Sequence, residues 1–183
     1  QNSFEGNSDI RQMQWWNYEA NLEYRLPQDA GVINTQLYYQ TVSDVIDNVD
    51  VSRNGQILSA RGNTGDGRRY GLNLSNSLRL GFLNQPNMLL TAGLSLEEAT
   101  HRDSILNRDR ERSMGPRDGG GSRYSIGFRH DIPRLNNTNW GFNANKRFLN
   151  DFMVWDIDKT EHYPPDWFWF AWAETQAWGG LVY

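Results

Sequence analysis

The residues best suited to binding an anionic group lie in a charged, glycine-rich segment at residues 98–122. Its arginines include Arg108, Arg110 and Arg112, and aspartates and glutamates stand between them. Guanidinium groups present planar, paired donors, which suit an anionic ligand such as a ferric chelate or a lipid-borne phosphate. The alternative is a solvated loop whose opposite charges compensate one another, and the mixture of signs favours that alternative.

Motifs for catalysis or for a bound cofactor are weak. The stretch at residues 65–69, Gly-Asp-Gly-Arg-Arg, lacks the lysine of a phosphate loop, and turn chemistry explains it better. The three histidines, His101, His130 and His162, are not at metal-binding spacing, and the chain has no cysteine. No serine is tied by pattern to a catalytic base. We therefore predict that the protein is not an enzyme and holds neither cofactor nor metal.

Large aromatic residues cluster in two places, at Trp15-Trp16 and along residues 167–178. Aromatic faces can stack against sugar rings, as in a carbohydrate-binding module. Tryptophan and tyrosine also anchor membrane proteins at the interface between lipid and water. We favour interfacial anchoring, because the pattern of the rest of the chain indicates a membrane protein.

Length and composition bound the fold. The 183 residues suffice for about one domain, the net charge is -4, and 13% of the residues are aromatic. So many aromatic residues argue against a disordered chain, and the mildly acidic charge argues against a nucleic-acid partner. No apolar run approaches the roughly 20 residues of a transmembrane helix, but the strands of a transmembrane barrel alternate between lipid and lumen and need no such run.

Alternation with a period of two residues dominates the chain and predicts β-strands. In the most regular stretch, residues 68–82, one face carries mainly Leu, Tyr and Phe, and the other carries Gly, Ser, Asn and Arg. Similar alternation predicts strands at residues 18–26, 33–53, 88–97, 124–129, 140–145 and 167–178, and the start of another at residues 181–183. We therefore predict an all-β fold: an antiparallel up-and-down meander of about seven to eight long strands, part of a transmembrane β-barrel.

The polar face distinguishes a membrane barrel from a soluble sheet. A soluble sheet usually presents Lys, Glu and Thr to water, whereas this polar face is rich in Gly, Ser, Asn and Gln. Such a composition is typical of a crowded, hydrogen-bonded lumen. Five charged residues of this face are the candidate lumen-facing residues of a ligand path: Glu19, Glu23, Arg25, Arg79 and Arg129.

The predicted connections alternate between short turns and longer ones, as in outer-membrane barrels. Short turns are expected at residues 27–31, 83–87, 133–139 and 178–180, and the other connections at Asn54-Gly55, 98–122 and 163–166. Asn-Gly is a strong hairpin turn. We also expect a polar interruption at residues 62–67, and we expect the strand from Trp140 to continue past Trp155 toward Tyr163.

The order and spacing of several stretches carry a resemblance that covers about residues 14–180. These stretches are 22–26 (LEYRL), 36–39 (QLYY), 44–47 (DVID), 62–74 (GNTGDGRRYGLNL), 124–133 (YSIGFRHDIP) and 163–165 (YPP). Together they resemble the C-terminal part of the β-barrel of TonB-dependent outer-membrane receptors. Such barrels have about 22 strands, and a plug domain and a TonB box precede them. Residues 1–183 are therefore expected to form a partial barrel domain without a plug.

The resemblance implies a transporter in the outer membrane of a Gram-negative bacterium. By resemblance, the chain belongs to a receptor that takes up a scarce nutrient: a ferric siderophore, cobalamin or an oligosaccharide. The implied partners are TonB, through the plug region absent from this sequence, outer-membrane lipid, lipopolysaccharide and the small-molecule ligand.

Two alternatives stay open. The first is a complete outer-membrane barrel of about eight strands, acting as a structural protein, an adhesin or a lipid-modifying enzyme, and it requires the first and last strands to pair. The second is a soluble, Trp-rich domain that binds glycans, and it requires a closed core. A piece of a larger barrel would instead leave two unpaired sheet edges, so we expect it to aggregate or to close artificially when isolated.

Overall fold

The computed structural model describes residues 3–103, 107–111, 122–148, 152–155, 160–163, 166–177 and 181–182. The strands in these residues are β1 (Ser3–Glu5), β2 (Gln14–Arg25), β3 (Gly31–Asp50), β4 (Leu58–Leu80), β5 (Gln85–Asp103), β6 (Arg108–Glu111), β7 (Arg123–Ile132), β8 (Thr138–Arg147), β9 (Phe152–Trp155), β10 (Thr160–Tyr163), β11 (Trp167–Glu174), β12 (Gln176–Ala177) and β13 (Leu181–Val182). In the part of the chain that is described, no helix has the length and apolar character needed to cross a membrane.

Seven strands form one antiparallel sheet in the order β11-β8-β7-β5-β4-β3-β2. Each of these seven strands pairs with the one that follows it along the chain, so the sheet is an up-and-down meander. Two short strands extend it: β6 pairs with the end of β5, and β1 runs parallel to the start of β4. This arrangement confirms the predicted all-β, antiparallel up-and-down meander, and it matches part of a β-barrel, although the sheet is not closed. Among the described residues β2 and β11 remain the two edges, and they do not pair as a complete small barrel requires.

Tight turns join β2 to β3, β4 to β5 and β7 to β8 at one end of the sheet. The first two contain single 3-10 turns at Pro27–Asp29 and Gly81–Leu83. At the opposite end, Asn54 and Gly55 have φ values of 53° and 75°, and Arg53 and Gln56 bridge across them. Positive φ at both central residues is the geometry that Asn-Gly favours, which confirms the predicted hairpin.

The outer face of the sheet is the one that carries the Leu and Tyr side chains, and it is exposed rather than packed into a core. Leu22 and Tyr18, for example, are 67% and 61% exposed. The paired strands align these residues into continuous rows, such as Ala20, Leu37, Leu72 and Leu96 across β2 to β5. A soluble domain with a closed core would bury this surface, whereas lipid covers it in a transmembrane barrel.

A row of tyrosines marks where the outer face changes character. Tyr18, Tyr39 and Tyr70 pair in register across β2, β3 and β4. The next outer row, farther from the tight turns, runs from Trp16 through Thr41, Arg68 and Thr100 and is mainly polar. From Tyr18 to the tight turn is about 27 Å of strand, or about 20 Å of height at the usual tilt, close to the roughly 25 Å apolar band of such barrels. The tyrosines therefore occupy the position of an interfacial girdle.

Beyond the tyrosine row, β3 and β4 continue as a hairpin with a small core of its own. Two bulges shift their register, one between Val42 and Val45 and one between Val45 and Ile46, and Asp44 adopts a φ of 55°. Beyond Asp44 the buried residues of β3 are consequently odd-numbered, whereas most of the less exposed residues before it are even-numbered. The predicted interruption at residues 62–67 was wrong as a break, because β4 runs unbroken and a bulge absorbs the change of pattern.

The segment before β2 lies against this hairpin. Asn7 donates from Nδ2 to the carbonyl of Arg61 at 2.9 Å, and Arg11 and Asn63 exchange two hydrogen bonds of 2.7 and 3.0 Å. Arg11 also forms a 2.6 Å ion pair with Asp44 at the bulge. These contacts fix the N-terminal segment on the extended part of the sheet.

The hairpin tip also holds a carboxylate outside the apolar band. The amide of Ser52 donates to Asp50 Oδ1 at 2.8 Å. Hydrogen bonds from the side chain and backbone of Ser52 hold the pKa of Asp50 below its usual range.

Several predicted boundaries differ from the structure. Residues 98–103, expected in a loop, belong to β5, and β6 pairs with them. β8 ends at Arg147 instead of continuing toward Tyr163, and β9 and β10 form a separate two-stranded hairpin. β11 ends at Glu174, short of the predicted residue 178. Alternating polarity fixes the face of a residue but not the point at which pairing stops.

Candidate functional site

The inner face, opposite the tyrosines and leucines, carries a charged cluster on β3, β4 and β5. Arg69 donates to Glu97 Oε2 from Nε at 2.8 Å and from Nη2 at 2.5 Å. Tyr38 donates its hydroxyl to the same oxygen at 2.5 Å, and the Arg69 guanidinium lies 5.5 Å from the centroid of the Tyr38 ring. Glu97 is only 6% exposed, so its charge is compensated by direct contacts rather than by bulk water.

Close packing of the backbone positions this cluster. A Cβ at Gly71 would lie 2.4 Å from the carbonyl oxygen of Leu96 and 2.5 Å from the Tyr38 hydroxyl oxygen. Glycine is therefore what allows the Tyr38 side chain to lie across β4 and reach Glu97.

A chain of hydrogen bonds between amide, hydroxyl and carboxylate groups runs across the neighbouring inner positions. Asn17 donates to Glu19, and Gln36 donates to the second oxygen of Glu19 at 3.4 Å. Asn73 donates to Gln36 Oε1 at 2.8 Å, and Ser95 donates to Asn73 Oδ1 at 2.5 Å. Side chains from four strands are thus linked in one polar network, which fixes their orientation.

A cavity of about 240 Å³ lies among these groups and extends to Arg123 at the start of β7. Gln40 Oε1 is buried at its wall and has no hydrogen-bond partner among the described residues. The wall of the cavity therefore contains the guanidinium of Arg69 and an acceptor that has no partner among the described residues. Such a surface suits a polar ligand or its hydration shell.

A second depression, of about 740 Å³, is lined mainly by outer-face side chains below the tyrosine row, including Leu37, Leu72 and Leu96. Its apolar walls belong to the surface that lipid covers in a transmembrane barrel.

The structure brings Glu19 into the polar network but leaves the other predicted lumen residues outside it. Glu23 and Arg25 form their own exposed ion pair at 2.7 Å. Arg79 is exposed near the tight turn between β4 and β5. Arg129 pairs with Asp131 at 2.8 Å. Their role in a ligand path stays a prediction.

The predicted loop arginines are placed only in part. Arg108 and Arg110 lie on β6, with Arg108 exposed and paired through its backbone to Asp103 of β5. Arg112 lies outside the described residues. Ligand binding by these arginines is therefore still a prediction.

Sequence reasoning missed Tyr38, Arg69 and Glu97. All three stand at positions that alternation assigns to the polar face, so the pattern contained the information on their orientation. Their convergence depends on the register between strands, and a pattern along one strand does not provide that register.

No group of three or more His, Asp or Glu residues that could hold a metal ion occurs in the described part of the chain. His130 lies edge-on to Trp140 with their ring centroids 6.1 Å apart, on the outer face near a tight turn, as the alternation predicted.

Comparison with solved structures finds similar folds. The FrpB iron transporter from Neisseria meningitidis, F3-3 variant, matches with a TM-score of 0.66 and 13% sequence identity, over 97% of this chain and 25% of that one. The F5-1 variant in its apoprotein form matches with a TM-score of 0.61 and 14% identity, over 94% of this chain and 26% of that one. This chain thus spans about a quarter of the length of these transporters. At such low identity the likeness establishes the fold.

No family model matches the sequence, and no curated protein matches it.

Proposed function

We propose that this chain forms a section of the wall of an outer-membrane barrel that takes up a scarce nutrient, of the TonB-dependent receptor type. In this proposal residues 1–183 are a partial barrel domain and contain no plug. The protein is a transporter and not an enzyme. It works in the outer membrane of a Gram-negative bacterium.

The observation that carries the proposal is the opposite character of the two faces of one sheet. The outer face is apolar, exposed and bordered by the tyrosine row. The inner face carries the ion cluster of Tyr38, Arg69 and Glu97 and a polar cavity. An apolar exterior with a hydrogen-bonded polar interior is what a solute-conducting barrel requires in a lipid bilayer.

The neighbouring structures guide the choice of nutrient. FrpB is described as an iron transporter, so a ferric chelate is the first ligand to test, followed by cobalamin and oligosaccharides. TonB would act through a plug contributed by the rest of the receptor. Outer-membrane lipid and lipopolysaccharide would contact the outer face and the arginines beyond the tyrosine row.

The experiment uses the complete open reading frame that contains this segment, deleted in its own bacterium and restored on a plasmid. The restored protein is expected in the outer-membrane fraction, and the deletion is expected to reduce accumulation of radiolabelled ferric chelates, or of cobalamin or a labelled oligosaccharide. Inactivation of the TonB gene should reduce uptake equally. Recovery of the protein in the soluble fraction, or unchanged uptake of all three nutrient classes, would contradict the proposal.

A further inference from the structure

β11 breaks the rule that the inner face is polar. Trp167 and Trp169 pair with Lys146 and Ala144 and lie on the outer face, whereas Phe168, Phe170 and Trp172 share the inner face with Asn145, Asn143 and Gly141 of β8. Phe168 and Phe170 are 60% and 45% exposed, and their ring centroids lie 6.0 Å apart. Three aromatic side chains therefore form a column along the inside of the sheet.

Interfacial anchoring accounts for the outer aromatic residues of β11 but not for this inner column. An anchoring ring must reach the boundary between lipid and water from the lipid-facing side. Trp167 lies on that side, since it packs edge-on against Tyr124 of the outer face with ring centroids 5.3 Å apart. Phe168, Phe170 and Trp172 point to the opposite side, so interfacial anchoring does not explain their presence.

The surroundings of the column are small or polar. The ring of Trp172 lies across Gly141, where an added Cβ would meet its Cζ2 at 3.0 Å, and the Arg129 guanidinium lies 5.8 Å from the Trp172 centroid. Arg129 is held by Asp131. Asn139 Oδ1 is buried and has no hydrogen-bond partner among the described residues. Flat apolar faces therefore stand beside the guanidinium of Arg129 and the side chains of Asn143 and Asn145.

We propose that Phe168, Phe170 and Trp172 form a stacking site for a ligand whose rings have a flat apolar face and oxygen atoms at the edge. Aromatic side chains bind such faces through dispersion and through their quadrupole. The neighbouring Asn and Arg side chains bind the ring-edge oxygens. Two ligand sources share this chemistry: the pyranose rings of an oligosaccharide and the catechol rings of a ferric chelate.

This proposal rests on the proposed uptake function, because it places the column on the path of the solute. The column extends from Phe168, level with Asn145, to Trp172, near the tight-turn end of β8. A ligand would therefore contact it while passing through the barrel toward the side of the tight turns.

The test uses the full-length receptor in detergent and isothermal titration calorimetry with two probes, maltoheptaose and the ferric complex of 2,3-dihydroxybenzoate. The test variant is Phe168→Leu/Phe170→Leu/Trp172→Leu, which keeps apolar character and removes the aromatic faces. The matched control is Trp167→Leu/Trp169→Leu on the outer face of the same strand. We expect at least one probe to bind and the inner variant to weaken its Kd at least tenfold, at about two- to tenfold per ring.

Which probe responds identifies the source of the rings. An unchanged Kd in the inner variant, an equal loss in the outer control, or no binding of either probe would overturn the proposal. A fall in melting temperature with an unchanged Kd would also overturn it, because it would assign the column to packing against a protein segment. If the triple variant fails to assemble, Phe170→Leu alone provides the same comparison.

Wild-type uptake is measured in parallel. If the wild-type receptor restores uptake to the deletion strain but the Kd of the inner variant is unchanged, the stacking site alone is rejected. If the wild-type receptor restores uptake of none of the nutrients, the underlying function is rejected.

Discussion

Replacing Glu97 with glutamine tests whether the inner ion cluster is a structural element of the sheet. In the Glu97→Gln variant the carboxamide oxygen can still accept a hydrogen bond from Tyr38, but the negative charge that faces Arg69 is lost. The Glu97 side chain is 6% exposed and that of Arg69 is 25% exposed. The positive charge of Arg69 would therefore be only partly solvated in the variant.

The expected loss follows from that partial burial. Removing one partner of a fully buried ion pair costs about 3–5 kcal/mol, but Arg69 retains some contact with water and the variant keeps one hydrogen bond. We therefore expect the free energy of unfolding to fall by about 1–3 kcal/mol. The double variant Arg69→Gln/Glu97→Gln should recover part of this loss, because neither charge is then left unpaired.

The assay is urea unfolding of the full-length protein in detergent micelles, monitored by tryptophan fluorescence. Glu23→Gln is the matched control, because its ion pair with Arg25 has a similar length of 2.7 Å but is exposed to solvent, and no measurable change is expected there. Equal losses of unfolding free energy in Glu97→Gln and Glu23→Gln would refute the reasoning. So would an Arg69→Gln/Glu97→Gln variant whose loss equals the sum of the losses measured for Arg69→Gln and Glu97→Gln separately.

Three further predictions concern the faces, the packing and the hairpin tip. Leu22→Arg on the outer face should cost about 2–4 kcal/mol of folding free energy in lipid vesicles, whereas Asn21→Arg on the inner face should be tolerated. Equal losses in the two variants would contradict the assignment of Leu22 and Asn21 to faces with different surroundings. Gly71→Ala, whose Cβ would meet a backbone oxygen at 2.4 Å, should destabilise the sheet by about 1–3 kcal/mol in thermal melts, and Gly81→Ala, with nothing within 4 Å, should not. Because the pKa of Asp50 is lowered, its contribution to stability is present above the usual carboxyl range and is lost as pH falls through the lowered pKa. The protection factors of the tip amides, which correct for the intrinsic pH dependence of exchange, should therefore fall over that acidic window, and Asp50→Asn should remove this fall.

The alternation of residue types was enough to predict which face most side chains occupy. Tyr18, Tyr39 and Tyr70 were assigned to the apolar face from their positions in their own strands, and the structure pairs them in one row. The physical reason is that successive side chains of a strand point to opposite sides. The predicted meander follows in turn from the turn signals between successive strands, such as the Asn54-Gly55 hairpin turn.

The register between strands and the places where the pattern slips could not be predicted in the same way. The bulge at Asp44 depends on a residue adopting positive φ, and most sequences that could do so do not form a bulge. The convergence of Arg69 on Glu97 requires the registry of β4 with β5, which many weak cross-strand contacts determine together. The aromatic side chains on both faces of β11 were visible in the sequence, but only the pairing with β8 identified which ones face inward.

The paired bulges near Asp44 and Thr64 have a consequence for how such a protein can change. They separate two parts of the β3–β4 pair, because the portion beyond them follows its own phase of alternation between buried and exposed residues. An insertion or deletion in the distal hairpin can therefore be absorbed at the bulges without turning Leu37 or Leu72 away from the outer face. If the proposed function holds, the distal hairpin can change in length while the apolar rows of the outer face keep their sequence constraints.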